Sequence, residues 1–419
     1  MKIWNATIGE PLPIEGNKNR LHRGGLLNNI LEQQGHEITW WASTFEHFTK
    51  KHIFEQNSSI KINSDYRLEL LHGCSYSKNI SFNRLRNHWQ IGREFYRLAR
   101  DKDKPDLIFA AFPSIELAYY ATKYAIENDV PIIVDARDMW PDIFLDVVPS
   151  VTKPIARMLL LPYYKMTQFV FSNATGITGI TDGFVQWGLN YTSRSKGLND
   201  KSFYLGYPLV EDITIAVPES WRKWGELGLT KKDFIISYVG AIADNKIDFA
   251  PILEAAKYYK DNSNVKFVLA GDGDEREIFQ DKVKKAELKN IIFPGWIDKY
   301  QIKALLKNSS LGLVPLRNRL DYKMSIPNKP IEYLSNDLPV ITSLTGELHD
   351  LIVDNQTGVF YENTSDMVNW IEHFLSNQGS LDKMATNCNL LFRRLFDSER
   401  VYSGLAKHLT DVYDRDQKS

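Results

Sequence analysis

A chain of 419 residues, 43% hydrophobic and 25% charged, is too long for one ordinary core and too apolar for extensive disorder, so two domains are expected. Its net charge of −1 gives no reason to expect nucleic acid as a partner. Cys74 and Cys388, its two cysteines, stand far apart in no metal-ligand or redox spacing, which argues against a zinc site or a disulfide framework and for a reducing cytoplasm. The opening MKIWNATIGEPLP lacks the apolar stretch of a signal peptide, and nowhere do ~18 apolar residues run together, so neither export by that route nor a membrane span is expected.

In chain order, PLPIEGNKNRLHRGGLL sets Arg20, His22 and Arg23 just before Gly24-Gly25 and a helix over 24–35. A Gly-Gly turn lets a ligand approach the helix N-terminus, and the arginines would draw an anionic group. A solvated loop is the plainer reading. Strands are predicted at 37–43 (EITWWAS), 106–112 (DLIFAAF), 131–136 (PIIVDA) and 176–181 (GITGIT), with a helix over 114–128. Between them, residues 83–104 interleave Arg84, Arg86, Arg93, Arg97 and Arg100 with Leu85, Trp89, Phe95, Tyr96 and Leu98. That pattern suits a helix lying on an anionic membrane surface, or an ordinary domain helix with snorkelling arginines. PIARMLLLPYYKM (154–166) adds apolar and basic residues nearby. In IIVDARDMWPD the strand ends on Asp135, Arg137 and Asp138, where α/β folds gather chemistry; an Asp-Arg structural pair is the competing view.

The join is expected between Leu198 and Leu229, in a Pro- and Gly-containing stretch without helical period. Beyond it, strands are predicted at 234–241, 265–273, 290–295, 310–316, 338–343 and 357–362, and an amphipathic helix over 398–415. Strands alternating with helices in both halves predict two Rossmann-like α/β domains. VKFVLAGDGDERE runs a strand into Gly271 and Gly273, and FIISYVGA ends at Gly240, with Lys246 six residues on. The glycines would let backbone approach a ligand, unless they only make a tight turn, and Lys246 before a helix suits a bound phosphate, unless it is merely solvated. Trp296 and Ile297, after Pro294-Gly295, could pack on a nucleobase or join the core. The dinucleotide fingerprint GxGxxG is absent, which disfavours NAD. In SIPNKPIEYLSNDLPVI, Pro330 suits a first helical turn. Glu332 then serves either as a helix-start device or as an acceptor for ribose hydroxyls, with Lys329 facing a diphosphate.

Taken together, the GG-helix-GHEITWW start, DARDMWPD, the SYVG and LAGDGD strand ends, FPGW, LVPL, PNKPIEYLSNDLPVI and NQTGVFY resemble retaining GT-B glycosyltransferases of family 4, in particular bacterial capsule and O-antigen enzymes of the N-acetylfucosamine transferase type. The resemblance covers nearly the whole chain. It implies two Rossmann-like domains facing across a cleft: 1–205 for the acceptor, 206–397 for a nucleotide sugar, and a 398–419 helix packing back on the first. It implies no cofactor and no essential metal, since basic side chains and helix N-termini replace a divalent ion on the diphosphate. By carry-over, Glu332 should bind ribose and Lys246 the phosphates. Two departures stand out: Met324 replaces the first glutamate of the paired motif and Ala241 an arginine after the first strand's glycine, so Lys329 or Arg317 is expected to supply the missing charge.

The expected reaction moves a sugar, deoxy or N-acetylated, from a UDP-linked donor to a polyprenyl-diphosphate-linked saccharide, in surface polysaccharide synthesis on the inner face of the cytoplasmic membrane. Asp138, Lys246 and Lys329 are the expected catalytic groups. Donor contacts are expected from Gly25, Gly240, Lys246, Gly271, Gly273, Trp296, Ile297, Arg317, Lys329 and Glu332, and acceptor contacts from Arg20, Arg23, Arg137 and Asp138. A nucleotide-sugar epimerase of similar fold and a non-catalytic nucleotide-sugar-binding partner remain alternatives.

Overall fold

In the computed structural model, Met1–Gly206 with Ser398–Ser419 forms one unit and Tyr207–Asp397 a second. The residues described are 1–14, 20–78, 81–146, 148–209, 216–243, 246–262 and 264–418, with side chains of 216–219 excepted. Part of the expected join, 210–215, and part of the Gly-Gly loop, 15–19, lie outside them.

The first unit's strands are β1 (Lys2–Ala6), β2 (Glu37–Ser43), β3 (Phe45–Glu46), β4 (Lys51–His52), β5 (Ser58–Lys61), β6 (Tyr66–Leu71), β7 (Leu107–Phe112), β8 (Ile132–Ala136), β9 (Gly176–Gly179) and β10 (Lys201–Ser202). Among the described residues they build an eight-stranded sheet in the order β10-β9-β8-β7-β1-β2-β6-β5, with β3 and β4 as a separate antiparallel pair. All neighbours in the large sheet are parallel except β5, the antiparallel edge. Strands β7 and β8 are buried at every position, as parallel strands covered on both faces must be, and so read as unbroken apolar runs. The terminal helix Ser398–Asp416 sets Tyr402, Leu405 and Leu409 in one core with Leu27 and Leu31 of the helix Arg23–Gln33. The Gly206 amide donates to the Tyr402 hydroxyl at 3.0 Å.

The second unit's strands are β11 (Phe234–Val239), β12 (Val265–Ala270), β13 (Ile291–Gly295), β14 (Leu311–Val314), β15 (Val340–Thr342) and β16 (Gly358–Phe360). They form a parallel six-stranded sheet in the order β13-β12-β11-β14-β15-β16. The helix Asn328–Leu334 docks through buried Pro330, Ile331, Tyr333 and Leu334. The Tyr333 hydroxyl accepts from the Val239 amide (3.2 Å) and donates to the Leu313 carbonyl (3.3 Å). It therefore ties this helix to β11 and β14, the two strands flanking the point where the chain reverses its direction across the sheet. Gly312 is needed there, because a Cβ would lie 2.4 Å from the Tyr333 ring.

Candidate active site

In the second unit the predicted donor residues fall into three groups. The strand-end glycines are stitched together by backbone hydrogen bonds: Gly240 N to Ala270 O (2.9 Å), Gly271 N to Gly295 O (2.8 Å) and Ile242 N to Asp272 O (3.0 Å). A Cβ on Gly271 would stand 1.9 Å from the Gly240 carbonyl oxygen, and one on Gly273 2.2 Å from that of Ile242. Both glycines also have positive φ, 136° and 158°. The close approach that demands glycine is thus between two protein loops, the structural alternative raised by the sequence.

Lys246 and Arg317 form the second group. The Arg317 amide donates to the Lys246 carbonyl at 2.8 Å, and Ile247 bridges Leu316. Lys246 is exposed. Arg317 lines a cavity of about 280 Å³ with Asp248, Asn318, Ser343 and Thr345, at the C-terminal ends of β14 and β15. Parallel α/β sheets place ligands outside this edge.

Lys329 and Glu332 form the third. Lys329 Nζ lies 2.8 Å from Glu332 Oε2, and the Tyr207 hydroxyl donates to Oε1 at 2.9 Å. Glu332 borders a smaller cavity with Tyr207, Lys299, Lys303 and Asn336. A carboxylate offers about four lone-pair positions, so these two partners leave room for two hydroxyl donors. Their helix has only seven residues, too short to lend a strong dipole to an anion, so charge here comes from the lysine. After Gly295 the two expected base-packing residues separate: Trp296 is 76% exposed and Ile297 is buried. For Ile297 the burial suits the core alternative that the sequence left open.

In the first unit the expected acceptor residues meet in a buried ion network. Arg23 holds Asp135 with two bonds (Nε to Oδ2 2.8 Å, Nη2 to Oδ1 2.9 Å) and donates through Nη1 to the carbonyls of Phe203 and Tyr204. Arg137 bonds the same Asp135 and also Glu10. Burial pushes the Asp135 carboxyl up, but the two guanidiniums outweigh it and hold the group well below the carboxylate range. Arg23, expected as an acceptor contact, stands in a buried ion pair whose guanidinium is already engaged. The Gly24 and Gly25 amides of the helix Arg23–Gln33 are also taken: Gly24 N donates to Glu10 Oε2 (2.9 Å) and Gly25 N to the same atom (3.4 Å). Gly25, expected to touch the donor, is held by the chain's own carboxylate. Arg20 is exposed ahead of this helix. Asp138 accepts from the Met139 amide (2.7 Å) and acts by its charge on Arg84.

Sequence reasoning passed over Glu10, His47, His88, Glu116 and Tyr207, and read Arg84 only as one of the arginines of residues 83–104. Only Arg84 and His88 left a signal, their i, i+4 spacing, which sets them on one helix face; Arg84 Nε lies 3.5 Å from His88 Nε2. The helix holding them, Phe82–Ala99, directs Ile91 and Phe95 into the core. Gly92 lets it approach the helix Ile115–Glu127, since a Cβ would lie 2.8 Å from the Glu116 carbonyl oxygen. Its outer arginines have partners too: Arg97 on Glu94 (2.8 Å), Arg100 on Glu127 (3.3 Å) and Arg93 over the Trp89 ring. Aliphatic side chains are bare elsewhere. Val151, Ile155, Met158, Leu159 and Leu161 are each 49–85% exposed.

Residues 220–389, most of the second unit, match the family model described as glycosyl transferases group 1. Across 98% of this chain and 100% of the other, the structure is similar to Anabaena Alr3699/HepE, solved in complex with UDP (TM-score 0.66, 13% identity). The fold is GT-B. Among sequence relatives, the chain is 23% identical over 238 residues to alpha-monoglucosyldiacylglycerol synthase of Acholeplasma laidlawii, covering 54% of each. It is 21% identical over 206 residues to the uncharacterised glycosyltransferase MJ1607 of Methanocaldococcus jannaschii, covering 48% of this chain and 50% of that one. The chain spans about half the length of these sequence relatives. The matched stretch holds Lys246, Arg317, Lys329 and Glu332 of the GT-B second unit. No helix among the described residues is long and apolar enough to cross a membrane.

Proposed function

We propose that this GT-B protein is a retaining glycosyltransferase that moves a deoxy or N-acetylated sugar from a UDP-linked donor to a lipid-diphosphate-linked saccharide in the synthesis of a bacterial surface polysaccharide. The observation that carries the reading is the group 1 glycosyl transferase match over 220–389, which encloses the paired Lys329 and Glu332 and the joined Lys246 and Arg317. A UDP-bound structural neighbour supports the donor class. A relative named as a synthase of a glucosylated diacylglycerol supports a lipid-borne acceptor.

In this reading Glu332 accepts from the ribose hydroxyls while Tyr207 fixes its carboxylate. Breaking the sugar–phosphate bond builds negative charge on the leaving diphosphate, which Lys246, Arg317 and Lys329 stabilise; preorganised charge of this kind is often the largest catalytic term. The departing phosphate takes the acceptor hydroxyl's proton in a front-face displacement, and Asp138 orients the acceptor. The protein reaches its lipid substrate by laying the exposed aliphatics of 151–161, with Lys153, Arg157 and Lys165 beside them, on an anionic bilayer.

A panel of UDP-, GDP- and ADP-sugars tests this reading. A UDP-sugar should raise the melting temperature by mass action and release UDP slowly in water. A panel in which no UDP-sugar protects the protein or is cleaved contradicts the assignment.

A further inference from the structure

The first unit holds a cleft of about 710 Å³ between the helix Phe82–Ala99 and the ends of β5 and β6, within the range of small-ligand sites, about 300–1,000 Å³. Since β5 runs antiparallel to β6, the residues entering β5, Glu55 to Asn57, and those leaving β6, His72 to Cys74, stand at one edge and line the cleft together. It is the C-terminal edge of the parallel strands, where such sheets bind their ligands. With β1-β2-β6-β5 running outward, the cleft lies at the outer end of that edge.

Its walls are fixed by the protein's own bonds. Asn57 Oδ1 accepts from the His72 amide (2.6 Å), and Asn57 Nδ2 donates to Glu94 Oε2 (2.9 Å), which also takes Arg97 (2.8 Å). Glu94 Oε1 is left to accept from a ligand. Gln90 Oε1 accepts from the Cys74 amide (2.7 Å), and Asn87 donates to the Cys74 carbonyl (2.6 Å). The Gln90 amide is thereby oriented with its two Nε2 protons left to donate. Gly73 brings the end of β6 against the helix, since a Cβ there would lie 2.8 Å from Asn87 Nδ2. Trp89 lines the cleft and is 46% exposed, and the Arg93 guanidinium, 4.6 Å from the ring centre, pins it. Groups held in advance lose little entropy when a ligand arrives.

The chemistry of these walls narrows the ligand. Glu55 and Glu94 stand against Arg93, so no excess of positive charge calls for a phosphate, a nucleic acid or an anionic bilayer. An aromatic ring beside fixed donors and acceptors suits a molecule with an apolar face and a polar rim. A pyranose is such a molecule: its C–H groups stack on an indole while its hydroxyls reach the amide and the carboxylate. We propose that this cleft is a saccharide subsite, in which a sugar ring stacks on Trp89 and its hydroxyls donate to Glu94 and accept from Gln90. The inference rests on the reading of the acceptor as a saccharide, and adds that the helix Phe82–Ala99 grips one of its sugar rings. The aromatic and basic pattern of that helix then serves carbohydrate in place of membrane.

The test labels the full chain with 5-fluorotryptophan and follows the Trp89 fluorine signal, assigned through Trp89→Phe. Maltose, lactose and N,N′-diacetylchitobiose are the probes, and phosphatidylglycerol vesicles the control. At least one disaccharide should shift the Trp89 signal saturably in the millimolar range. Saturation-transfer NMR of that disaccharide should show the C–H protons of one ring face nearest the protein. By the same measurement Trp89→Ala should weaken binding about tenfold and Gln90→Ala about fivefold, as loss of an aromatic contact and of one hydrogen bond do, with thermal unfolding as the check on folding. A Trp89 signal that no disaccharide moves, one that moves with vesicles alone, or a folded Trp89→Ala protein that binds the disaccharide as tightly as the parent overturns the subsite. UDP binding is read separately in the second unit, so a negative result alongside intact UDP binding removes the subsite and leaves the donor assignment standing.

Discussion

Arg23 and Asp135 face each other with both side chains buried, joined by two bonds of 2.8 and 2.9 Å. They lie 112 positions apart in sequence, and Arg137 and Glu10 complete the network. Removing one partner from such a pair strands the other charge in the core, at a cost of about 3–5 kcal/mol. Arg23→Ala and Asp135→Asn should therefore lower unfolding free energy by this order in urea titrations, whereas Arg20→Ala, on the surface, should change it by less than about 0.5 kcal/mol. A stable Arg23→Ala protein whose only defect is a raised acceptor KM would restore Arg23 as a ligand residue.

Glu116 gives a pH prediction. Burial pushes its carboxyl from an ordinary value near 4.5 up to about 7, against the opposing pull of its own amide, the Tyr163 hydroxyl and Arg84. The folded protein thus binds this proton more tightly than the unfolded chain, and the associated stability is present below about pH 4.5 and lost as pH rises through about 7. His88 and His47, pushed down, contribute the opposite slope below about 6.5, so the parent curve alone is ambiguous. Subtracting the curve of Glu116→Gln, which stays neutral, isolates the carboxyl. The variant should gain on the parent by up to on the order of 3 kcal/mol from pH 4 to pH 8. A pH-independent difference would show that Glu116 is ionised throughout.

For the membrane, two sets of substitutions separate the helix Phe82–Ala99 from the segment 151–161. Ile155→Ser, Met158→Ser and Leu159→Ser combined should abolish co-flotation with anionic vesicles without lowering the melting temperature, because these side chains are already in water. Arg93→Glu, Arg97→Glu and Arg100→Glu combined should retain most of it, since those arginines have protein partners. The reverse pattern would return membrane contact to the longer helix.

The buried parallel strands were legible because each is a continuous apolar run, as in DLIFAAF and VKFVLA. Strand β1 escaped notice because Asn5 interrupts it. Asn5 is nonetheless buried, donating to Asn28 Oδ1 at 2.8 Å and to the Gly24 carbonyl, a pairing visible only once the helix Arg23–Gln33 lies across the strand. Strand β6, YRLELL, alternates charge with leucine and resembles no buried strand; its Glu69 is paired with Lys102 (2.6 Å). At the site, the one-turn spacing of Lys329 and Glu332 could be read, though it assigned them to a diphosphate and to ribose rather than to each other, as the structure pairs them. The destinations of Arg23 and the Gly24-Gly25 amides could not, because Asp135 and Glu10 reach them through the fold rather than along the chain. An arginine before Gly-Gly looks the same in sequence whether it awaits a phosphate or meets a buried aspartate.

The account rests most directly on the grip of Glu332 on a nucleoside diphosphate. Titration calorimetry of UDP into the parent and into Glu332→Ala measures it, with thermal unfolding of both as a check on folding. The loss of a carboxylate that accepts two ribose hydroxyls should weaken UDP binding by roughly 10–100-fold, the equivalent of about 1.5–3 kcal/mol, with little change in melting temperature. A folded Glu332→Ala protein that binds UDP as tightly as the parent would contradict the donor site described for the second unit.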